Sequence, residues 1–210
     1  MDRSPRVWTG WTKFLGNAVP GLFCLPLLVA GILHFNPQKP FSGWPIYMIL
    51  FVIVGWFAVS LFGFWNNDGL RQGVARQVDR RYPPNGEKPV DRHFVGVARP
   101  SYRNILDPHE DVGFLLMHDD RLQFVGDQLD LEFPWTTFSS VRGRANTHTW
   151  LGLGRWISLE GTGPDDLPIR LMIEPRERNF IPANWSVNRK LRAEIASRLD
   201  AQKKVDSSGA

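Results

Sequence analysis

Cysteine is almost absent from this 210-residue sequence, because the one cysteine, Cys24, lies inside a long apolar run. An intramolecular disulfide is therefore excluded, and so is a zinc site built from several cysteines. The larger part of the chain also lacks an excess of charge. Four of the 25 basic residues and one of the 21 acidic residues lie in residues 1–65, which leaves a net charge of +1 in residues 66–210. A nearly neutral region lacks the concentrated basic face that nucleic-acid binding requires.

Motifs of nucleophilic catalysis and of nucleotide binding are missing as well. No G-x-S-x-G sequence occurs, and Ser139 and Ser140 have no histidine close to them in the sequence. The segment Gly152-Leu-Gly154 does not lie between a parallel strand and a helix, as a nucleotide-binding loop would. The sequence therefore predicts no catalytic residue and no cofactor, and we expect a protein that is not an enzyme.

Charged side chains are absent from two long apolar runs, 14–35 and 44–65. Each has about the 20 residues that a helix rising about 1.5 Å per residue needs to cross a hydrocarbon core of about 30 Å. The first run is longer than the apolar region of a typical signal peptide, which has about 7–15 residues. We therefore predict a transmembrane hairpin of two helices. Pro20 and Pro26 predict a first helix that is kinked or begins near Pro20. Five glycines suited to close packing of the helices are Gly16, Gly21, Gly31, Gly55 and Gly63.

Aromatic and basic side chains flank these runs, as is typical of residues at a membrane interface. The predicted interface residues are Trp8, Trp11, Trp44, Trp65, Arg71, Arg76, Arg80 and Arg81. Basic residues are concentrated before the first run and after the second, whereas the connecting loop carries only Lys39. The positive-inside rule then predicts a multi-pass protein of the cell (inner) membrane with both termini in the cytoplasm.

A short connecting helix is predicted at 66–81, with Leu70, Val74 and Val78 at four-residue spacing and a Pro/Gly linker up to residue 90. Two interpretations of its arginines stay open: contact with anionic lipid headgroups, or a topological signal on a solvated face.

From about residue 91 the pattern changes to short alternating runs separated by turn residues, which is typical of antiparallel strands. Seven strands are predicted, at 93–99, 112–118, 121–126, 129–133, 138–144, 155–161 and 167–174. After Pro182, apolar residues recur every four positions, which predicts an amphipathic C-terminal helix with Ser186 as its N-cap. The predicted fold is α+β: the hairpin at 1–65, the connector at 66–90, a partly open β-barrel or sandwich closed by one helix at 91–202, and a polar tail at 203–210.

Three segments of this region resemble bacterial pleckstrin-homology-like (GRAM-like) domains. The segment 114–126, with Leu122, Phe124 and Gly126, is similar to their second and third strands. Leu131-Glu-Phe-Pro-Trp135 with Phe138 and Val141 resembles the next strand and the turn after it, and 188–195 resembles the closing helix. The resemblance implies a binding or scaffolding module without chemistry of its own. It does not carry phosphoinositide binding, because Asp107, Glu110 and Asp111 lie where a basic loop would be expected.

Two groups of polar residues are candidate sites. Arg142, Arg144 and Arg155 lie near Trp150 and Trp156 in the sequence, which predicts either an anionic-ligand patch or the outer face of a strand. The second group gathers oxygen and imidazole side chains at 107–111 and 118–120, with His109 and His118 as the central pair. Turn chemistry explains Asp119 and Asp120 equally well, so no metal ligands are assigned.

Three functions follow as hypotheses. The first is a membrane-anchored cytosolic module that recruits a protein or an anionic ligand to the inner membrane and is itself a candidate homo-oligomer. The second is an accessory or regulatory subunit of a larger membrane complex. The third is a metal-dependent hydrolase that uses the region of His109 and His118.

Overall fold

The computed structural model describes residues 6–39, 41, 43–64, 66–81, 91–102, 108–146, 149, 153–163 and 165–208, with the side chains of all these except 17 and 205–208. The predicted interface residue Trp65, the predicted patch residue Trp150, Asp107 and the linker at 82–90 lie outside the described residues. The described part contains three helices, then seven antiparallel strands, then a C-terminal helix. The predicted α+β class is confirmed.

Helix α1 spans Gly10–Leu33 and begins before the predicted start at residue 14. A capping box explains the early start. The Thr9 hydroxyl accepts a hydrogen bond from the backbone N–H of Thr12 at 3.3 Å, and the Thr12 hydroxyl accepts one from the N–H of Thr9 at 2.9 Å. Pro20 and Pro26 both lie inside the helix. The prediction that α1 begins near Pro20 is therefore wrong, since the threonine cap starts the helix before either proline.

Helix α2 spans Trp44–Phe62, and helix α3 spans Asn67–Arg81. Gly43, with a φ of 81°, precedes α2 in the left-handed conformation that glycine tolerates. Helix α2 ends earlier than predicted because the chain turns at Asn66, which has a φ of 55° and separates α2 from α3. Helix α3 lies within one residue of the predicted connector helix.

Helices α1 and α2 pack against each other as an antiparallel hairpin. A Cβ atom on Gly31 would overlap the Met48 side chain, and one on Gly55 would lie 3.4 Å from the Cys24 sulfur. Close approach at these two glycines is therefore confirmed, whereas Gly21 has no neighbour within 4 Å and does not contribute.

Seven strands form one antiparallel sheet, and each lies within two residues of its prediction. They are β1 (Asp91–Ala98), β2 (Asp111–Met117), β3 (Arg121–Gly126), β4 (Asp130–Pro134), β5 (Phe138–Arg144), β6 (Trp156–Thr162) and β7 (Pro168–Pro175). The strand order is β4-β3-β2-β1-β7-β6-β5. Strands β4 and β5 are the two edges of this one sheet. The predicted barrel or sandwich is therefore not formed, because the described strands make a single open sheet that does not close on itself.

Helix α4 spans Asn184–Ser208 and covers the inner face of the sheet through the predicted stripe of Leu191, Ile195 and Leu199. The predicted boundary at residue 202 is wrong, because the helix continues through most of the predicted polar tail. The prediction of Ser186 as N-cap is wrong, because the helix already begins at Asn184. The Asn184 side chain accepts a hydrogen bond from the Arg178 N–H and donates one to the Arg178 carbonyl, which fixes the preceding loop.

A second apolar cluster lies on the outer face of the sheet, where Phe94, Val112, Phe114 and Val125 are buried. Helix α3 covers them with Leu70, Val74 and Val78, and Trp8 completes the cluster. The apolar stripe of α3 is therefore occupied by the sheet. Only the exposed arginines of α3 therefore remain available to contact lipid headgroups.

Candidate functional site

A buried polar network lies where the hairpin meets the sheet. His109, which precedes β2, is fully buried, and so are Glu174 at the end of β7, Arg176 just beyond it and Asn67 at the start of α3. His109 Nε2 is 3.0 Å from Glu174 Oε2, and His109 Nδ1 is 3.3 Å from an Arg176 guanidinium nitrogen. Arg176 Nε donates to Asn67 Oδ1 at 3.1 Å. The network joins the loop before β2, the end of β7 and the first residue of α3.

Donor and acceptor chemistry assigns the tautomer of His109. A guanidinium group only donates, so His109 Nδ1 must accept from Arg176. Nε2 then carries the hydrogen and donates to the Glu174 carboxylate. The imidazole is neutral and lies between one negative and one positive side chain. Gly96 on β1 makes room for it, because a Cβ at that position would overlap the ring.

Aromatic rings enclose the Arg176 guanidinium, which lies 4.1 Å from the ring centroid of Phe64 and 5.0 Å from that of Trp8. Phe64 follows α2, and Trp8 precedes α1. The same arginine therefore contacts both ends of the hairpin, and cation–π attraction adds to its hydrogen bonds.

The segment before α1 is bound to the sheet by Asp127, in the turn after β3. Its carboxylate accepts hydrogen bonds from the backbone N–H groups of Val7, at 3.0 Å, and Trp8, at 2.8 Å. In the first turn of α1, Lys13 donates to the Tyr102 hydroxyl at 3.0 Å and to the His109 carbonyl at 3.3 Å. The start of α1 is thus bound to the β domain by hydrogen bonds.

Asp111, at the start of β2, is fully buried and holds the neighbouring turn. One carboxylate oxygen accepts from the backbone N–H groups of Gln128 and Leu129, each at 2.8 Å, and the other accepts from Val112 at 2.9 Å. Burial raises the pKa of Asp111 to about 6, because desolvation outweighs these three hydrogen bonds.

Helix α3 is also joined to the sheet by charge. The Glu177 carboxylate accepts from the Phe94 N–H at 3.0 Å, lies 3.5 Å from Arg71, and lies 3.6 Å from His93 Nδ1. The interaction with Glu177 raises the pKa of His93, although partial burial opposes it. Glu194 of α4 lies 3.6 Å from the other nitrogen of His93 and adds to the same effect.

A cavity of about 490 Å³ lies between the first half of α4 and the residue before β6. We call it the arginine groove; it is lined by Arg155, Trp185, Asn188, Arg189 and Arg192. Within the described part of the chain, none of the three guanidinium groups forms an ion pair with a carboxylate. Asn188 Nδ2 donates to the Arg155 carbonyl at 2.8 Å and holds that loop against the helix.

The arginine groove adjoins the end of α2. Ile181, in the 3-10 turn before α4, packs with Phe64 and Leu153, and Trp56 and Val59 of α2 lie against this cluster. A narrow cleft lined by Phe64, Ile181, Arg155 and Trp185 continues from this contact to the groove. Trp185, which lines both the groove and the cleft, is 49% exposed, and Phe180, which precedes the 3-10 turn, is 42% exposed.

The predicted ligand patch is not assembled as the sequence suggested. Arg155 lines the arginine groove, whereas Arg142 and Arg144 lie on the opposite side of β5 from Gly143, which contacts Arg192 of α4. Arg144 donates to Glu160 at 2.6 and 2.8 Å. Trp156 is buried, 5.2 Å from the His109 ring.

The predicted interface residues divide into two groups. Trp8 is 2% exposed and packs on the sheet, so its indole is not available to lipid. It does lie at the end of the helix, as predicted, but it contacts the sheet and not the membrane interface. Trp11 is 66% exposed, and Trp44 is partly exposed and packs edge-on against Phe35. Among the arginines, Arg71 pairs with Glu177 and Arg81 donates to Asp130 at 3.1 Å, while Arg76 and Arg80 are exposed.

The predicted histidine and acid cluster is dispersed over separate interactions. His118 bonds to Gln123, 3.2 Å away, whereas His109 bonds to Glu174. Glu110 pairs with Arg99, and Asp119 lies 3.6 Å from Arg198. In the described ranges no group of three or more His, Cys, Asp or Glu side chains could hold a metal ion.

Reasoning from the sequence missed Trp185, Arg189 and Arg192. Their spacing was a usable signal, because residues i, i+4 and i+7 share one face of a helix. They lie off the apolar stripe of α4 and so form a second, basic face. Arg176, Glu174 and Asn67 gave no such signal, since their partners are distant in the sequence.

Comparison with known proteins gives no family assignment: no protein-family model matches this sequence, and no curated protein matches it.

Proposed function

We propose that the protein is a membrane-anchored binding module, with its hairpin inserted in the cell membrane and its β domain on the cytoplasmic side. The β domain, similar to pleckstrin-homology-like domains, then holds a protein or an anionic ligand at the inner leaflet. The resemblance implies a binding or scaffolding module, and the order of seven antiparallel strands followed by one helix supports the proposal.

Insertion is supported by the exposure of the two helices. Each is long and apolar enough to cross a bilayer. Yet only 18% of the apolar 18-residue stretch in α1 is buried, and only 11% of the corresponding stretch in the helical segment that begins at Trp44. The core helix of a soluble protein is mostly buried. Water is a poor environment for the exposed side chains, which include Leu22, Ile32, Ile46 and Val52.

One observation carries the proposal: the segments that enter and leave the hairpin both pack on the sheet. Trp8 and Asp127 join the first segment to it, while Asn67 and Arg176 join the second. The β domain is therefore held in one orientation at the end of the hairpin, which suits a module that presents a surface close to a membrane. A flexible linker would give no such fixed orientation.

Cysteine labelling tests the insertion and its orientation, because Cys24 is the only native cysteine. In a C24S background we expect Q38C, in the loop between α1 and α2, to react with a membrane-impermeant maleimide on intact cells. K203C is expected to react only after lysis. The matched pair controls for expression and labelling chemistry. Release of the protein by alkaline carbonate, or labelling of K203C in intact cells, would contradict the proposal.

Purification in a mild detergent separates a free-standing module from an accessory subunit. We expect the full chain to remain folded and to elute as a monomer or homo-oligomer. Stoichiometric recovery with a larger membrane protein would instead favour the accessory-subunit hypothesis.

A further inference from the structure

We infer that the arginine groove binds the phosphate-bearing headgroup of an anionic lipid from the bilayer that holds the hairpin. This inference rests on the proposed membrane insertion and names the ligand class of the module. The groove was not predicted as a unit from the sequence. It differs from the predicted patch, of which it keeps only Arg155.

Charge is the first argument. Arg155, Arg189 and Arg192 place three positive charges around one cavity of about 490 Å³, and no carboxylate within the described ranges neutralises them. A guanidinium group presents a planar fork of donors that matches phosphate oxygens. Like charges gathered in this way repel one another, and an anion between them removes the repulsion. The cavity volume is sufficient for a headgroup.

Position is the second argument. Ile181 contacts the last turn of α2, and a Cβ on Gly63 would lie only 2.7 Å from its Cδ1 atom. Trp185 follows Ile181 by four residues, and Arg192 follows Trp185 by seven. At about 1.5 Å per residue, the whole groove lies within roughly 20 Å of the end of α2. In an inserted hairpin, the near end of the groove, at Arg155 and Trp185, then adjoins the headgroup layer, because the cleft that begins at Phe64 reaches these two residues.

Aromatic exposure is the third argument. Trp185, which lines the groove, is 49% exposed, and Phe180, five residues before it in the chain, is 42% exposed. Exposed aromatic rings are favoured at the boundary between headgroups and acyl chains, where the ring contacts apolar atoms and the indole N–H contacts polar ones. A soluble anion would leave these rings in water, whereas a lipid would bring its acyl chains to them. The combination favours a lipid over a free phosphate compound.

Native mass spectrometry of the full chain in mild detergent tests the inference. The probes are dioctanoyl phosphatidylglycerol, dioctanoyl phosphatidylcholine and sn-glycerol 3-phosphate. We expect phosphatidylglycerol to bind more tightly than either of the others. The double variant R189Q/R192Q is expected to weaken phosphatidylglycerol binding by about tenfold or more, because each basic residue near an anionic lipid contributes appreciably to binding.

Two matched variants make the test specific. R142Q/K203Q removes two exposed positive charges away from the groove and should leave binding unchanged. R189K/R192K keeps the charge but loses the planar fork, so we expect intermediate binding.

Equal binding of phosphatidylglycerol by R189Q/R192Q and the wild type would overturn the inference, and so would binding of glycerol phosphate as tight as that of the lipid. Neither result would contradict the proposed membrane insertion, because the cysteine labelling of Q38C and K203C tests that proposal separately. Failure of the labelling test would instead remove the proposed function.

Discussion

Replacement of Arg176 by leucine tests whether the buried network joins the hairpin to the β domain. The change removes the donor to His109 Nδ1 and to Asn67 Oδ1. It also leaves the Glu174 carboxylate buried without this positive charge. Removing one partner of a buried charge pair costs about 3–5 kcal/mol. We therefore expect R176L to destabilise the protein by that amount, even though leucine is itself suited to a buried position.

The part of this cost that comes from charge follows from the geometry. Glu174 and Arg176 contact opposite nitrogens of the His109 ring, at 3.0 and 3.3 Å. Two unit charges roughly 8 Å apart attract by about 2 kcal/mol at an effective dielectric constant of about 20. In a double-mutant cycle, E174Q/R176L should therefore be more stable than the sum of the single variants predicts, by about 2 kcal/mol.

Intrinsic tryptophan fluorescence of the full chain in mild detergent, followed during heating, is a suitable assay. For a protein of this size about 1 kcal/mol corresponds to a shift of about 2–4 °C in Tm, so R176L should lower the Tm by about 6–20 °C. R142L, at an exposed arginine, is the control and should change stability by less than about 0.5 kcal/mol. A loss in R176L no larger than that of the control, or simple additivity in the cycle, would refute the reasoning.

Three further predictions concern pH and packing. Because the pKa of Asp111 is higher in the folded state, its contribution to stability is greatest below its ordinary value of 3.8 and is lost as the pH rises to about 6. Between pH 4 and pH 7 the wild type should thus lose up to about 3 kcal/mol of stability that D111N does not lose. A difference in unfolding free energy between D111N and the wild type that does not change with pH would contradict the assigned pKa. Because the pKa of His93 is raised in the folded state, its contribution to stability is fully present below pH 6.5 and is lost at higher pH. H93Q should therefore lower the Tm more at pH 5.5 than at pH 9. An equal loss of Tm at both pH values would contradict this reasoning. G63A should destabilise the protein by about 1–3 kcal/mol, because the new Cβ atom would lie 2.6 Å from the Val59 carbonyl oxygen and 2.7 Å from Ile181 Cδ1. Adding I181V, which deletes that Cδ1 atom, should recover the part of the loss that comes from Ile181 in the same melting assay. No recovery would show that the contact with the Val59 backbone accounts for the whole loss.

The elements that sequence reasoning predicted are those specified by neighbouring residues. The strands are short runs rich in apolar residues and separated by turn residues, and α3 and α4 repeat apolar residues every four positions. The strands and α3 were located within two residues, whereas α4 begins before its predicted N-cap and continues into the predicted tail. The two apolar runs were equally clear, and only their ends were wrong, because a threonine cap and the turn at Asn66 are details of single residues.

The parts that could not be predicted depend on contacts between distant residues. Trp8 has the local context of an interface residue, but its backbone partner is Asp127, more than a hundred positions away. His109 lies 65 positions before Glu174 and 67 before Arg176, so no spacing pattern links its imidazole to them. The predicted patch failed for a related reason: Arg142 and Arg144 share one side of β5, whereas Arg155 is joined to α4 by the tertiary fold.

The bond between Asp127 and the segment at Val7 and Trp8 also has a consequence for biosynthesis. The bonded residues are 119 and 120 positions apart, so this contact cannot form until the ribosome has added those residues. At about 5–20 residues per second, the delay is roughly 6–24 s. During that time the indole of Trp8 has none of its final strand partners, and an inserting α1 would leave it at the bilayer surface. In the proposed membrane-inserted protein, the same residue would serve two environments in succession: lipid while the hairpin enters, and the sheet once β3 has been made. Ribosome-bound chains in which residue 127 has not yet left the ribosome should accordingly expose Trp8 to a membrane-bound quencher, and chains long enough to release β3 and Asp127 should not.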